Sequence, residues 1–295
     1  MTTSTFSLYK GDDRVTLTSY IQGDADELSM EPRAALIILP GGALSYLSER
    51  EAEPVALAFL PHGVNAFVLR YSVGEFGNYP LPLLDASLAV AHVRRHAEEY
   101  RIDPHRIFVM GFSAGGYVAA MLGVRWNESF IREELSIGYA ENKPDGLILA
   151  YPVITAGTFA HRGTIDVSLG GVRDEETLKS HSLENLVSDL TPPTFLWHTA
   201  EDGSVPVENS LLFASALSAH HIPFELHVFE KGCHGLSLAT RETSCGKSGL
   251  EAPEVAEWVN LAAGWVRRSL LNHGFRKERL LNISAESVIQ QKYSR

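Results

Sequence analysis

The segment that decides the fold is Ile107–Ala120, with the sequence IFVMGFSAGGYVAA. Four apolar residues end at Gly111, the run Gly111-Phe112-Ser113-Ala114-Gly115 follows, and the chain continues with small and apolar residues. This order predicts a buried strand, a tight turn and a buried helix, with Ser113 at the apex of the turn. Glycine on both sides removes side chains that would collide in so sharp a turn. The serine hydroxyl is then exposed beside a helix N-terminus, which favours developing negative charge.

The composition bounds the class of protein. The chain has 295 residues, of which 45% are hydrophobic and 21% charged, as in a soluble globular protein with a sizeable core. The net charge of −11 and the lack of a basic cluster argue against nucleic acid as a partner. The N-terminal residues lack an export signal and no apolar run approaches 18 residues, so we expect a cytoplasmic protein without a membrane span.

The cysteines and the possible metal ligands give little sign of further chemistry. Cys233 and Cys245 are the two cysteines, and without an export signal we expect them to be free thiols. We find no metal-ligand spacing such as Cys-x-x-Cys. We therefore expect no metal site.

Apolar runs alternate with amphipathic stretches along the chain. We predict strands at 15–20, 34–39, 64–71, 146–151, 194–198 and 224–229, and helices at 49–60, 83–99, 207–220 and 253–270. Residues 103–106 are predicted as a turn into the central strand, and residues 125–143 as irregular. This alternation predicts the α/β class, with a mostly parallel twisted sheet covered by helices on both faces.

We find no linker that would divide the chain. Residues 1–270 are predicted to form a single domain, followed by a C-terminal tail at 271–295. Within the domain, residues 155–190 are less periodic and rich in glycine and charge. We expect this segment to be a lid-like insertion with short helices that leans over the site.

Polar candidates for chemistry follow several predicted strands. Ser113 ends the central strand, Asp202 follows the strand at 194–198, and His234 follows the strand at 224–229. In open α/β sheets, ligands bind at the carboxyl ends of the strands. The chain order serine, aspartate, histidine is the one expected when the serine of a Gly-x-Ser-x-Gly turn lies on such a sheet.

Each of these residue types meets a chemical need. A serine hydroxyl is a poor nucleophile near neutral pH, so His234 is the candidate base that takes its proton. Asp202 would hold the other ring nitrogen and stabilise the imidazolium. The N–H group of Ala114 would supply one donor to an oxyanion, and the glycines after Pro40 let the backbone approach closely enough to supply others.

Simpler interpretations stand beside these. His198 lies at a strand end and could be a histidine packed in the core, and Gly41-Gly42 could be only a turn. A small buried thiol is a better interpretation of Cys233 than a second nucleophile. The competitors of Asp202 for the acidic position are Glu201, Asp166 and Asp174.

Several motifs together resemble a known family. They are Leu39-Pro40-Gly41-Gly42, Arg50-Glu51-Ala52-Glu53-Pro54-Val55-Ala56, Gly111–Gly116, Ala150-Tyr151-Pro152-Val153-Ile154, Asp202 with Val205-Pro206 and Asn209-Ser210, and Cys233-His234-Gly235-Leu236. Over roughly residues 34–240 the chain resembles α/β-hydrolase esterases, and more narrowly the acetyl esterase and xylan-esterase-like lipolytic group. The resemblance implies the α/β-hydrolase fold and no cofactor. The residues it implies are a catalytic triad of Ser113, Asp202 and His234 and an oxyanion hole of Gly42, Ala43 and Ala114.

The chain departs from the family at the oxyanion loop. Lipolytic relatives often carry His-Gly-Gly-Gly, whereas this chain has Pro40-Gly41-Gly42-Ala43. A methyl group at the third glycine position is tolerable only with a negative φ. Which backbone N–H groups form the oxyanion hole therefore stays open, with Gly42 as the first candidate.

The resemblance implies a serine carboxylester hydrolase that removes small acyl groups through an acyl-enzyme, with acetylated sugars as the candidate substrates. A serine peptidase of the same fold and a non-catalytic binding protein are the alternatives. The expected partner is therefore a small-molecule ester. The oligomeric state stays open, with a homo-oligomer as one alternative.

Overall fold

A computed structural model of the protein describes residues 1–23, 27 and 32–268. The predicted tail at 271–295, and the last two residues of the helix predicted at 253–270, lie outside these residues. Eight strands form one sheet in the order β1-β2-β4-β3-β5-β6-β7-β8. They are β1 Thr2–Tyr9, β2 Asp12–Ile21, β3 Arg33–Leu39, β4 Val64–Arg70, β5 Ile102–Phe112, β6 Gly146–Ala150, β7 Thr194–Thr199 and β8 Phe224–Phe229.

The sheet is mostly parallel, as predicted. Strand β2 is antiparallel to both β1 and β4, and every other neighbouring pair is parallel. The carboxyl ends of β3, β5, β6, β7 and β8 therefore lie along one edge. This geometry brings the loops that follow these five strands together at that edge.

Helices cover both faces of the sheet. Strand β3 shows why, because Ala35, Ile37 and Leu39 belong to one buried apolar cluster and the alternate residues belong to the other, as the two-residue period of a strand requires. The helices are α1 Glu53–Phe59, α2 Leu81–Arg95, α3 Ala114–Arg125, α4 Ser129–Leu135, α5 Arg162–Ser168, α6 Glu175–Ser180, α7 Glu208–Ala219 and α8 Pro253–Ala256. Residues 258–268 are also helical.

Two predictions about the middle of the chain were wrong. Residues 103–106 lie inside β5 and do not form a turn, because Ile102 already pairs with Arg33 and draws this stretch into the sheet. The stretch at 125–143, predicted as irregular, contains α4. That helix buries Ile131 against the core.

Three predicted helices have different limits. Helix α2 ends at Arg95 and not at residue 99. The helix predicted at 49–60 is a 3-10 turn, Glu49–Glu51, followed by α1 with Pro54 in its first turn. Proline lacks an N–H donor and fits the start of a helix but not its interior. The helix predicted at 253–270 is interrupted at Glu257.

Short helices fill the segment at 155–190, as predicted. They are α5, α6 and a 3-10 turn at Leu183–Leu186. Among the helices of the described residues, none combines the length and the apolar character needed to cross a membrane.

Candidate active site

Ser113 lies at a strained turn between β5 and α3. Its backbone has φ 52° and ψ −116°, a conformation that L-residues adopt only when the surroundings enforce it. A Cβ atom on Gly111 would lie 2.2 Å from the carbonyl oxygen of Gly115, and one on Gly115 would lie 2.1 Å from that of Leu39. The collisions predicted from the sequence are therefore confirmed, and both positions require glycine.

A continuous row of hydrogen bonds runs from Ser113 into the protein. Its Oγ lies 2.8 Å from Nε2 of His234. Nδ1 of His234 lies 2.7 Å from Oδ2 of Asp202. A carboxylate can only accept, so Nδ1 carries the proton and Nε2 of the neutral ring is left to accept the serine hydroxyl. This arrangement can move a proton from the serine to the imidazole.

Asp202 is held as a carboxylate. Its Oδ1 accepts the N–H groups of Ser204 and Val205, each at 2.9 Å. Burial acts to raise the pKa of Asp202, but hydrogen bonds from His198 and His234 outweigh it and hold that pKa below its ordinary value. Asp202 therefore stays charged behind the His234 ring.

His198 is a histidine of the core, which is one of the interpretations of the sequence. It is fully buried, with Nε2 donating to the carbonyl of Val205 at 2.9 Å and Nδ1 lying 2.8 Å from the hydroxyl of Ser210. Nε2 also lies 3.4 Å from Oδ2 of Asp202. His198 thus contacts the same carboxylate oxygen of Asp202 as His234 does.

The three other carboxylates considered for the acidic position make different contacts. Glu201 is exposed and lies near the N–H of Gly232. Asp166 pairs with Arg173, and Asp174 caps the N-terminus of α6. Within the described part of the chain, none of the three is hydrogen-bonded to His234.

The loop after β3 lies against Ser113. A Cβ atom on Gly41 would be 3.0 Å from that of Ser113. Gly42 has φ 132°, and a Cβ atom there would lie 2.0 Å from the carbonyl oxygen of Tyr46, so the loop requires glycine here. Ala43 has a positive φ of 55°, the left-handed region that favours glycine. A left-handed alanine costs roughly 1–2 kcal/mol, which the rest of the loop must offset.

The backbone donors of this loop are not equivalent. The N–H of Gly41 donates to Oε2 of Glu51 at 2.8 Å and is therefore occupied. Among residues 32–268, the N–H groups of Gly42, Ala43 and Ala114 have no hydrogen-bond acceptor. These three were the candidate oxyanion donors from the sequence, and their N–H groups remain open for a ligand.

Two residues beside this row received no role from the sequence. Glu51 is 3% exposed, and its Oε1 accepts the hydroxyl of Tyr151 at 2.7 Å. The Tyr151 ring stands edge-on to the His234 ring, with their centroids 5.1 Å apart. Burial raises the pKa of Glu51 above its ordinary value, although hydrogen bonds from Tyr151 and Gly41 oppose the effect. Both residues occur in motifs quoted above, without any spacing that ties them to the site.

His161, in the segment at 155–190, was also missed. Its Nδ1 accepts the N–H of Thr164 at the start of α5. Burial and the charge of His234 lower the pKa of His161, and Asp202 acts in the opposite direction. A neutral imidazole therefore lies within electrostatic reach of the candidate site.

Cys233, next to His234, is exposed, so the buried thiol expected there is wrong. Its Sγ donates to the carbonyl of Gly249 at 3.3 Å.

Comparison with known proteins gives the family. The BD-FAE family matches residues 25–217. The chain is 42% identical to endo-1,4-beta-xylanase B of Butyrivibrio fibrisolvens over 74% of this chain, and 29% identical to the acetylxylan esterase of Xylanibacter ruminicola over 70% of it. It spans only 35% and 42% of the lengths of these two proteins.

A solved structure matches over nearly its whole length. It is the acetyl ester-xyloside bifunctional hydrolase of Caldicellulosiruptor lactoaceticus, with a TM-score of 0.75 and 38% identity. The match covers 90% of this chain and 96% of that hydrolase. The resemblance predicted from the motifs is thereby confirmed, and the chain belongs to the BD-FAE family and has the α/β-hydrolase fold.

Proposed function

We propose that the protein is a serine carboxylester hydrolase that removes small acyl groups, above all acetyl groups, from acetylated sugars. The observation that carries the proposal is the hydrogen-bonded row of Ser113, His234 and Asp202. The similarity to an acetylxylan esterase and to an acetyl ester-xyloside hydrolase supports the acetyl group and the sugar.

The first half of the reaction forms an acyl-enzyme. Oγ of Ser113 attacks the ester carbonyl carbon while Nε2 of His234 takes its proton. The charge of Asp202 stabilises the resulting imidazolium. The carbonyl oxygen becomes an oxyanion, to which Gly42, Ala43 and Ala114 can donate backbone N–H groups. When the tetrahedral intermediate collapses, the alcohol leaves with the proton from His234.

The second half releases the acid. His234 removes a proton from a water molecule, which attacks the acyl carbon bound to Ser113. The new tetrahedral intermediate uses the same backbone donors. Its collapse breaks the bond to Oγ, returns the proton to Ser113 and frees the carboxylic acid.

Removal of the nucleophile is the direct test of this mechanism. We expect Ser113→Ala to lower kcat for an aryl acetate by about 10⁴–10⁶-fold, because the three side chains act as a unit. A fluorophosphonate probe should modify Ser113 in the unaltered chain, as located by peptide mass spectrometry. Ser248→Ala, which changes an exposed serine, is the matched control and should leave kcat unchanged.

The same experiment separates the alternatives. Near-full activity of Ser113→Ala, or a fluorophosphonate adduct elsewhere, would rule out this mechanism. Faster hydrolysis of an aminoacyl anilide than of an aryl acetate would favour the serine peptidase. A panel of acetylated xylo-oligosaccharides and longer aryl esters then tests the proposed substrate class.

The cytoplasmic location remains a prediction from the sequence, and cell fractionation tests it. The oligomeric state can be determined by light scattering of the purified chain.

A further inference from the structure

One buried carboxylate connects the loops of the candidate site. Glu51 belongs to the 3-10 turn before α1 and is 3% exposed. Its Oε2 accepts the N–H of Gly41, 2.8 Å away, in the loop that follows β3. Its Oε1 accepts the hydroxyl of Tyr151, 2.7 Å away, in the loop that follows β6. Each carboxylate oxygen thus holds a different loop.

Tyr151 extends this connection to the loop of His234. Its hydroxyl donates to Glu51 and accepts the N–H of Ser237 at 2.9 Å, while its ring packs edge-on against the His234 ring, at an interplanar angle of 72°. The backbone of Tyr151 has φ 37°, and that of Ser237 has φ 55°. Strained conformations of this kind persist only where the surroundings hold them.

Burial of the Glu51 carboxylate costs free energy, so its presence inside the protein calls for an explanation. Glu51 forms no ion pair within the described part of the chain, and a buried carboxylate without a cationic partner destabilises a fold unless its hydrogen bonds compensate. The adjacent Arg50 is directed elsewhere, to the carbonyl groups of Gly235 and Thr243. The contacts of Glu51 go instead to the oxyanion loop and to Tyr151.

Atoms of Glu51 and Phe112 lie very close to Gly41. A Cβ atom on Gly41 would lie 2.8 Å from Oε2 of Glu51 and 2.8 Å from the carbonyl oxygen of Phe112. The peptide N–H of Gly41 is thereby fixed toward Glu51. The next two N–H groups, of Gly42 and Ala43, have no acceptor among residues 32–268.

We propose that Glu51 is a positioning residue of the esterase reaction: it fixes the Gly41 peptide so that the N–H groups of Gly42 and Ala43 meet the oxyanion. Through Tyr151 it also holds the ring of His234 in place. This inference rests on the proposed function, because it assigns Glu51 a role in that same site. Within the described part of the chain, the hydrogen bonds of Glu51 go to Gly41 and Tyr151 and not to Ser113.

The test compares two neighbouring glutamates. Glu51→Gln keeps the shape of the side chain, but its amide nitrogen cannot accept, so either the Gly41 N–H or the Tyr151 O–H loses its acceptor at residue 51. Glu49→Gln is the matched control, because Glu49 lies in the same turn, is 70% exposed and pairs with Arg70 at the surface. The rates are measured with an aryl acetate and divided by the active sites titrated with a fluorophosphonate. Affinity for a trifluoromethyl ketone, which forms a tetrahedral adduct, reports on the oxyanion donors.

We expect Glu51→Gln to lower kcat per active site by about 10–10²-fold, somewhat less than the loss of a whole oxyanion donor. KM should change less than threefold, and the affinity for the ketone should fall in step with kcat/KM. Glu49→Gln should match the unaltered chain in all three. Tyr151→Phe, which keeps the ring and breaks only the hydroxyl contacts, should lower kcat in the same direction and serves as the test if Glu51→Gln does not fold.

The outcomes distinguish this inference from the proposed function. If the unaltered chain neither reacts at Ser113 nor hydrolyses the ester, the proposed function fails and the inference fails with it. If that chain is active, a glutamine variant with full kcat per active site and full ketone affinity overturns the inference alone. A variant with a lower melting temperature but unchanged rates per active site gives Glu51 a purely structural role and also overturns it.

Discussion

At the residue scale, Asp202 receives contacts from two histidines with different surroundings. His234 is partly exposed and lies next to Ser113, whereas His198 is fully buried and bonded to Val205 and Ser210. The core therefore fixes the carboxylate before any substrate binds. Such preorganisation is what a group needs when it must orient a catalytic imidazole.

Replacement of Asp202 by asparagine tests this orientation. An amide nitrogen in place of Oδ2 would donate to Nδ1 of His234 and move its proton to Nε2, where it could no longer accept from the serine. We expect kcat to fall by about 10⁴-fold, with the fold intact by circular dichroism. Glu201→Gln changes the exposed neighbouring carboxylate and should leave kcat unaltered. Activity of Asp202→Asn within tenfold of the unaltered chain would show that Asp202 does not orient His234.

The residues that sequence reasoning found and those that it missed differ in one physical respect. Ser113, Asp202 and His234 each follow a recognisable strand, and parallel strands deliver their carboxyl ends to one edge. Glu51 contacts a tyrosine 100 residues away, and nothing in the spacing of the chain joins the two. Their contact depends on how two loops pack, which only the folded chain determines.

At the scale of single elements, the turn between β5 and α3 depends on backbone atoms lying almost in contact. A Cβ atom on Gly115 would lie 2.1 Å from the carbonyl oxygen of Leu39 and 2.6 Å from that of Pro40. Main-chain atoms cannot move aside as the end of a flexible side chain can. Helix α3 would therefore have to move away from the end of β3. That movement would also change how the helix packs against the oxyanion loop that begins at Pro40.

Gly115→Ala should consequently destabilise the protein by about 1–3 kcal/mol, in the range of overpacked cores. The free energy of unfolding in urea is the measurement. Gly249→Ala is the control, because a Cβ atom there meets nothing within 4 Å. Equal stability of the two variants would show that this turn is not the tight junction described.

The elements differ in how far their sequences determine them. Strands β3, β4 and β6 are buried and apolar apart from Arg33, Asn65 and Arg70, so their apolar runs were sufficient to predict them. The start of β5 was missed because residues 103–106 carry turn-forming and charged side chains, and the pairing of Ile102 with Arg33 overrides that local preference. The short helix α4 likewise depends on the burial of Ile131 in the core.

At the scale of the whole molecule, the sheet divides the core into two apolar clusters. The alternation of strands and helices predicted this arrangement, since a parallel sheet needs a cover on each face. The position of residues 155–190 relative to the site could not be deduced from periodicity, because short helices bury little surface of their own. The lid-like role of that segment remains a prediction.

Trp258 belongs to the buried apolar cluster that includes Leu36 and Ile38, and it also contacts the loop that carries His234. Its ring stacks on Trp197 with centroids 5.2 Å apart, and it also contacts the rings of Phe59 and Phe112. Its indole N–H donates to the carbonyl of Ser237 at 3.0 Å. The helix at 258–268 is thus attached both to the sheet and to the loop that carries His234.

Trp258→Ala should lower the free energy of unfolding by about 3–5 kcal/mol, the range for removing a buried aromatic side chain. Trp258→Phe keeps much of the packing and loses the donor to Ser237, so it should cost less. Urea unfolding followed by circular dichroism measures both, with Leu211→Ala as the control at a side chain that is 46% exposed. If Trp258→Ala cost no more than Leu211→Ala, the helix would not be part of the cooperative fold, and the support it gives to the His234 loop would have to come from elsewhere.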